Sequence, residues 1–283
     1  MSNARKPGEA PYTTRTPRVS AALKLHRRKE RDETGLFLAE GPQAVGEALA
    51  AGIVRELFVT EALLPADLGL VVGDSRDLRV SSPPELQDRR VSVVNDEAMA
   101  ALSDTVNPQG VVAVCEQLDI PLEDAVARKP RLVAVAVDIR DPGNAGTILR
   151  TADAAGANVV IFAGDAVDPY NGKCVRASAG SIFHVDIVRE RDIDKVLGGL
   201  TGLQVLATTG RGAVDLFEIE PRLTQPTAWL FGSEAHGLPE NVLDRAERVR
   251  VPIYGGAESL NLAAAAAVCL YASARAQHSP HEL

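Results

Sequence analysis

The sequence predicts an α/β protein of two domains, and three observations carry that prediction. The chain has 283 residues, about twice the length of a usual domain. Its second half alternates short apolar, β-branched runs with helical stretches, the pattern of a mainly parallel sheet covered on both faces. Within that half, Asn144 to Thr151, Leu230 to Pro239 and Val251 to Leu262 each put Gly, Asn, Ser, Glu or Arg where a strand meets a helix. One such stretch is an ordinary loop with caps. Three in one domain point to a site assembled from several strand ends, where open α/β sheets bind ligands.

The elements follow in order. Residues 1–17 are rich in Pro, Thr and charge and have no apolar period, so a disordered basic tail is expected. From Arg18 to Arg31 a helical pattern begins, with Val19, Ala22, Leu23 and His26 on one face. Lys24, Arg27, Arg28 and Arg31 fall at i, i+3, i+4 and i+7 on another, a spacing that suits a phosphate backbone and equally suits a solvated charged face. Strand-like runs follow at Leu36–Ala39, Ile53–Val59, Val91–Val94 and Gly110–Cys115. Helix-like stretches at Gln43–Ala51 and Glu97–Leu102 separate them, the first punctuated by Pro42 and Gly52. Together, residues 18–116 read as a small α/β or α+β domain.

Residues 117–130, with Pro121, Pro130 and an acidic middle, read as a linker, and residues 131–283 as the second domain. Its strand candidates are Leu132–Val137, Asn158–Phe162, Phe183–Val188, Leu203–Thr208, Thr227–Phe231 and Arg248–Val251. A long helix closes the chain from Asn261 to about Gln277.

Composition bounds the function classes. Hydrophobic residues make up 46% of the chain, enough to fill real cores. The longest apolar run, Leu260 to Ala272, is interrupted by Asn261 and falls short of the ~18–20 residues of a membrane span. The start carries no apolar signal-like stretch, and Cys115, Cys174 and Cys269 are odd in number and far apart, so a reduced, cytoplasmic protein is expected. The net charge of −8 argues against a nucleic-acid partner only on average. Residues 1–31 hold nine Lys or Arg and two Glu, a local charge of +7, which leaves −15 on the remaining 252 residues.

Chemically, Asp141-Pro142-Gly143 makes a turn after a buried strand, and Asn144 is suited to cap the helix that follows. Ile148, Leu149, Ala152 and Ala155 form its apolar face. Arg150 sits among them, either as a functional cation or as one that snorkels or pairs with Asp153. Gly232, Glu234 and Gly237 follow the apolar run Ala228–Phe231; the glycines allow close approach of backbone to a ligand, and Glu234 can accept hydrogen bonds. His236 is not assigned a catalytic role. Val251-Pro252-Ile253 ends a strand, Gly255-Gly256 opens a loop, and Ser259-Leu260-Asn261 leads into an alanine-rich helix whose free N–H groups favour an electron-rich group. Ser259 or Asn261 could equally be a plain N-cap. There is no strand-associated GxGxxG, Gly210-Arg211-Gly212 being only a fragment, and no P-loop, HExxH or CxxC, so no metal is expected.

In order and wording, NAGTILRT, LFGSEAHGLP and VPIYGGAESLNL resemble the three motifs of the SpoU/TrmH family, the RNA ribose 2′-O-methyltransferases of the SPOUT superfamily. The resemblance is close over roughly residues 131–277. It is looser over the first 115, where Phe37–Gly41 followed by Ala48–Gly52 resembles the ribosomal-protein-like, RNA-recognising domain that precedes many SpoU catalytic domains. It implies a trefoil-knotted fold, S-adenosylmethionine as methyl donor, and a homodimer through the C-terminal domain, with the apolar face of Asn261–Gln277 in the interface. Asn144, Arg150, Glu234, Ser259 and Asn261 would line the acceptor side, and Thr208, Gly210, Gly232, Val251, Ile253 and Leu260 would contact the cofactor. A guanidinium with a pKa above ~12 rarely gives up its proton, so Arg150 is as well suited to orienting the ribose or a phosphate as to acting as base. Lys24, Arg27, Arg28 and Arg31 are the candidate RNA-binding residues. The implied substrate is RNA, 23S ribosomal RNA ahead of transfer RNA; the alternative class is a non-catalytic RNA-binding protein of ribosome assembly. Tyr254, Leu262 and Ala263 depart from the family's usual residues, which leaves individual pocket contacts open.

Overall fold

The computed structural model describes residues 10–63 and 90–278, which form two compact units. The first unit runs to Gln117 and also takes in Tyr170–Arg176; the second comprises Leu118–Pro169 and the chain from Ala177 onward.

In the first unit, helices α1 (Pro17–Lys24) and α2 (Arg28–Thr34) precede β1 (Leu36–Glu40), α3 (Pro42–Ala50), β2 (Val54–Thr60), β3 (Arg90–Val94), α4 (Asp96–Leu102) and β4 (Val111–Glu116). The sheet has the order β1-β4-β2-β3, with β4 antiparallel to both β1 and β2, and β2 parallel to β3. Its strands read as apolar runs because both faces are covered. Leu38, Phe58, Val112 and Val114 pack with Val19 and Ala22 of α1 and with Ala98, Met99 and Leu102 of α4. The opposite side chains, Phe37, Leu57 and Ala113, are also fully buried, on the side where α3 lies against β1 and β4.

Two expectations fail here. Residues 1–9 of the expected disordered tail lie outside the described residues, but Tyr12 is fixed: its N–H donates to Val93 O (2.9 Å) and its carbonyl accepts from Asn95 N–H (3.0 Å). The expected helix over Arg18–Arg31 is broken at Leu25–Arg27, so the four cations do not form one stripe. Arg31 turns inward, 3% exposed, and its Nη1 donates to Leu25 O (2.7 Å) and His26 O (3.0 Å), carbonyls freed by the break. Lys24, Arg27 and Arg28 remain exposed; Arg28 pairs with Asp32, and Lys24 and Arg27 make no ion pair among the described residues.

The second unit opens with α5 (Leu122–Ala127). From Leu118 on, the expected linker is therefore part of this unit, and Leu122 and Ala125 are buried in its core. Then come β5 (Leu132–Val137), α6 (Pro142–Ala154) and β6 (Val159–Ala163); after α7 (Gly172–Ser178), most of which belongs to the first unit, follow β7 (Asp186–Glu190), α8 (Ile193–Gly199), β8 (Gln204–Thr208), β9 (Val214–Asp215), β10 (Thr227–Phe231), α9 (Glu240–Leu243), β11 (Glu247–Arg250) and α10 (Leu262–Gln277). The strand expected from Phe183 starts at Asp186, because residues 181–183 form a 3-10 turn. The order is β7-β6-β5-β10-β8-β11-β9, parallel throughout. On one face Val133, Val135, Ile161 and Leu230 pack with α5, α8 and α9. The alternate residues face α6 and α10, where fully buried Trp229 donates Nε1–H to Ser273 Oγ (2.8 Å).

This order positions the site. From β5 the chain steps outward through β6 and β7, then returns to build β8, β10 and β11 on the other side of β5, so the direction reverses between β5 and β10. In parallel α/β sheets the crevice beyond the carboxyl ends of strands at such a reversal is where ligands bind.

Candidate active site

The loops leaving β5, β10 and β11 carry the three motifs. After β5, Asp138 has a left-handed backbone (φ 52) and its Oδ1 accepts from Asp165 N–H (2.7 Å). Asp141 then caps α6, its Oδ1 accepting from Asn144 N–H (2.8 Å), with Pro142 in the first turn. The cap expected at Asn144 is thus Asp141, and this frees the Asn144 side chain for other work. After β10, residues 233 and 237 close a tight hairpin, Gly237 N–H donating to Ser233 O (2.8 Å) and Ser233 N–H to Gly237 O (3.1 Å). A Cβ on Gly232 would collide with the backbone of Gly237 and Leu238, so that glycine is needed for the hairpin to fold back. After β11, an exposed stretch leads to Asn261, whose Oδ1 accepts from Ala263 N–H (2.9 Å) and Ala264 N–H (3.2 Å) as the cap of α10.

Side chains join the three loops. Asn261 Nδ2 donates to Asn144 Oδ1 (3.2 Å), and Asn144 Nδ2 donates to Glu234 Oε1 (2.7 Å). The order of donors fixes both amide orientations: the α10 N–H groups require Asn261 Oδ1, which leaves Nδ2 for Asn144, whose own Nδ2 then meets the carboxylate. Glu234 Oε2 accepts from Arg140 N–H (3.4 Å). Burial pushes the Glu234 pKa up, but the bond from Asn144 and the backbone N–H groups of Glu234, Arg140 and Asp141 outweigh it, so its pKa lies below the ordinary carboxylate value. The result is a carboxylate held ionised beside an open cleft lined by Asp138, Arg140, Asp141, Ser233, Glu234 and His236.

Of the expected acceptor-side residues, Asn144, Glu234 and Asn261 are thus in direct contact. Ser259 is exposed, two residues before the α10 cap. Arg150 lies on the exposed side of α6, two turns on from its start, and its side chain makes no ion pair or hydrogen bond among the described residues. Asp153 pairs instead with His184 (2.9 Å). Asp141 and Arg140 hold the network in place, and the sequence signal for Asp141 was available, an Asp immediately before a Pro at a helix start.

Of the expected cofactor residues, Thr208, Gly210, Gly232, Val251 and Ile253 lie at or just past the ends of β8, β10 and β11, while Leu260 stands immediately before the Asn261 cap of α10. Thr208 Oγ1 donates to Leu230 O (3.0 Å) and Thr209 N–H to Val249 O (3.0 Å), which ties the ends of β8, β10 and β11 together. Ile253 and Leu260 are 39% and 41% exposed, Tyr254 is 87% exposed, and the space beside Gly210, Gly255 and Gly256 is open. Uncovered apolar side chains and open backbone in the loops that follow these strands suit a flat heteroaromatic ring with polar edges, as in a nucleoside.

Known proteins carry the same architecture. The model of the SpoU rRNA Methylase family matches residues 131–271, and that of the MRM3-like substrate binding domain matches residues 16–113. The chain is 34% identical over 264 residues to the 23S rRNA (guanosine(2553)-2′-O)-methyltransferase RlmP of Bacillus subtilis, covering 92% of this chain and 96% of that protein. Among solved structures, the AdoMet-bound rRNA methyltransferase from Sinorhizobium meliloti superposes with a TM-score of 0.80 at 34% identity, covering 94% of this chain and 96% of the other. The SpoU methyltransferase AviRb from Streptomyces viridochromogenes, in complex with AdoMet, gives 0.77 at 28% identity, with 92% and 98% covered.

Proposed function

The chain belongs to the SpoU rRNA methylase family, and we propose that it transfers a methyl group from S-adenosylmethionine to a ribose 2′-OH of 23S ribosomal RNA. The observation that carries this reading is the hydrogen-bonded chain from the α10 N-terminus through Asn261 and Asn144 to Glu234. It holds three separate strand-end loops in one arrangement at the reversal point of the sheet.

Methyl transfer to a hydroxyl is an in-line displacement, so the protein's main task is to hold the hydroxyl about 3 Å from the methyl carbon. When bound, S-adenosylmethionine supplies that electrophilic carbon. Ile253 and Leu260 would cover its adenine, with the backbone of Thr208, Gly210, Gly232 and Val251 around its polar groups. Arg150, exposed and unneutralised, orients the ribose or an adjoining phosphate, and Ser259 contributes a hydroxyl at the acceptor side. Glu234 and Asn144 fix the loop geometry between them. We assign Lys24, Arg27 and Arg28 of the first unit to the RNA backbone, and omit Arg31 because it is buried.

A homodimer through the second unit belongs to the same reading, as does the knotted path of the chain. The buried face of α10 (Ala263, Ala266, Cys269, Leu270) packs against the chain itself, so the apolar face expected at the interface is already used. Ala264 and Tyr271 are exposed on the outer side, Tyr271 by 52%, with Val268 half-buried near them, and this side is open to a second copy. Among the described residues no helix is long and apolar enough to cross a membrane, in keeping with a ribosomal substrate in the cytoplasm.

The test is labelled-methyl transfer from S-adenosylmethionine to RNA of cells lacking the gene, followed by mapping of the product. Label in one 2′-O-methylated nucleotide of 23S ribosomal RNA is the expected result. Label on a base, or in transfer RNA alone, overturns the reading.

A further inference from the structure

The loops that leave β8, β10 and β11 at the carboxyl edge, residues 209–213, 232–239 and 251–261, contain one arginine and no lysine. That arginine, Arg211, stands on a fixed base. Its own N–H donates to Thr209 Oγ1 (3.3 Å), and Gly212 N–H donates to Thr209 O (3.1 Å). A Cβ on Gly212 would run into the backbone of Val249 and Arg250, so the loop lies directly on β11. The guanidinium is left free: Arg211 is exposed, with no ion pair or side-chain hydrogen bond among the described residues. The arginines of β11 are by contrast neutralised, Arg248 by Glu240 (2.9 Å) and Asp244 (2.8 Å), and Arg250 by Asp215 (3.7 Å).

We propose that Arg211 grips an RNA phosphate beside the target ribose and so sets the register of the substrate over the crevice. The inference rests on the functional reading above and adds to it a positioning residue outside the family motifs. An unneutralised guanidinium fork on a rigid loop matches phosphate geometry, and every nucleotide brings one such charge. The methyl donor is the weaker candidate, because its sulfonium and ammonium groups would repel a guanidinium and only its carboxylate would attract one.

The experiment measures binding of the full-length protein to a 23S ribosomal RNA transcript at several salt concentrations, with S-adenosylmethionine affinity measured separately by calorimetry. For Arg211→Ala we expect roughly ten-fold weaker RNA binding and a salt slope smaller by about one, with S-adenosylmethionine affinity unchanged. Arg211→Lys should restore the slope but only part of the affinity. Unchanged RNA affinity and slope, or a loss confined to S-adenosylmethionine, overturns the proposal. Thermal unfolding of each variant separates these outcomes from misfolding. Wild-type protein that shows the Arg211-dependent slope but transfers no methyl group keeps this inference and sinks the functional reading instead.

Discussion

Asn144 Nδ2 lies 2.7 Å from Glu234 Oε1, and this bond joins residues 90 positions apart in the chain. It is charge-assisted, and it is formed only because Asp141 rather than Asn144 caps α6. Replacing Asn144 by Ala removes the middle of the chain, leaves Glu234 without its side-chain donor and frees Asn261 Nδ2. Misplacement of reacting groups by about 1 Å costs on the order of 10²-fold in rate. We therefore expect Asn144→Ala to lower kcat by roughly that factor while S-adenosylmethionine binding, checked by calorimetry, is kept. Wild-type kcat would remove Asn144 from the site.

Glu234 has a lowered pKa, so its sign in linkage is that of a carboxylate stabilised in its charged form. Its contribution to stability is present above the unfolded value of about 4.3 and is lost as pH falls through the lower folded value. Activity between pH 6 and 8 should consequently show no inflection from this group, in roughly the window where a neutral carboxylic acid would have to titrate. Carbon NMR of the labelled glutamate carboxyl should show a midpoint below that of a model peptide, moving upward in Asn144→Ala. A midpoint above the model value would mean that burial wins over the hydrogen bonds.

Arg150 is exposed and, among the described residues, unpaired, where a structural arginine on α6 would have met Asp153, which is engaged by His184. Since no ion pair or side-chain hydrogen bond among the described residues depends on its charge, Arg150→Ala should leave the unfolding free energy within about 0.5 kcal/mol of wild type. Methyl transfer should fall at least ~10²-fold, with S-adenosylmethionine affinity unchanged. Loss of cofactor binding with normal turnover at saturating donor would contradict the assigned role.

The contrast between β5 and the N-terminal helices explains what the sequence revealed. Leu132–Val137 was legible to the residue because both faces are buried and every position is apolar. Asn261 at the head of an alanine-rich run marked α10 for the same local reason. The break between α1 and α2 carries no Gly or Pro; it is stabilised by Arg31 reaching back to two carbonyls, a tertiary cause that helical periodicity cannot register. Helix α5 was hidden because Pro121 and two acids look alike in a linker and in a helix start, and only the burial of Leu122 and Ala125 decides. In the site, each motif was visible as a strand end, but the pairing of Asn144 with Asn261, 117 residues apart, depends on sheet order.

Trp229 is the only tryptophan of the chain, so its fluorescence reports unfolding of the second unit. Both Trp229 and Ser273 are fully buried, and Ser273→Ala leaves the indole N–H without an acceptor. An unsatisfied buried donor costs about 1–3 kcal/mol. The urea midpoint followed by Trp229 emission should fall accordingly. With Trp229→Phe in the background, followed by circular dichroism, the same substitution should cost less, because no donor remains. Equal losses in both backgrounds would assign the effect to packing of α10.

In the first unit, the four cations Lys24, Arg27, Arg28 and Arg31 separate into two kinds, and salt dependence tells them apart. Lys24 and Arg27 are exposed and, among the described residues, unpaired, so each substitution by Ala should reduce the slope of log affinity against log salt by up to about one for a 23S ribosomal RNA transcript. Arg28 is partly neutralised by Asp32 at 3.6 Å and should contribute less. Arg31→Ala should leave the slope unaltered in protein that remains folded. It should instead destabilise the first unit, because the carbonyls of Leu25 and His26 lose a charged donor, a loss of roughly 1.5–3 kcal/mol for each such bond. Thermal unfolding and the salt series on the same four variants give both quantities; a slope change in folded Arg31→Ala would mean that this guanidinium leaves its internal partners to meet RNA.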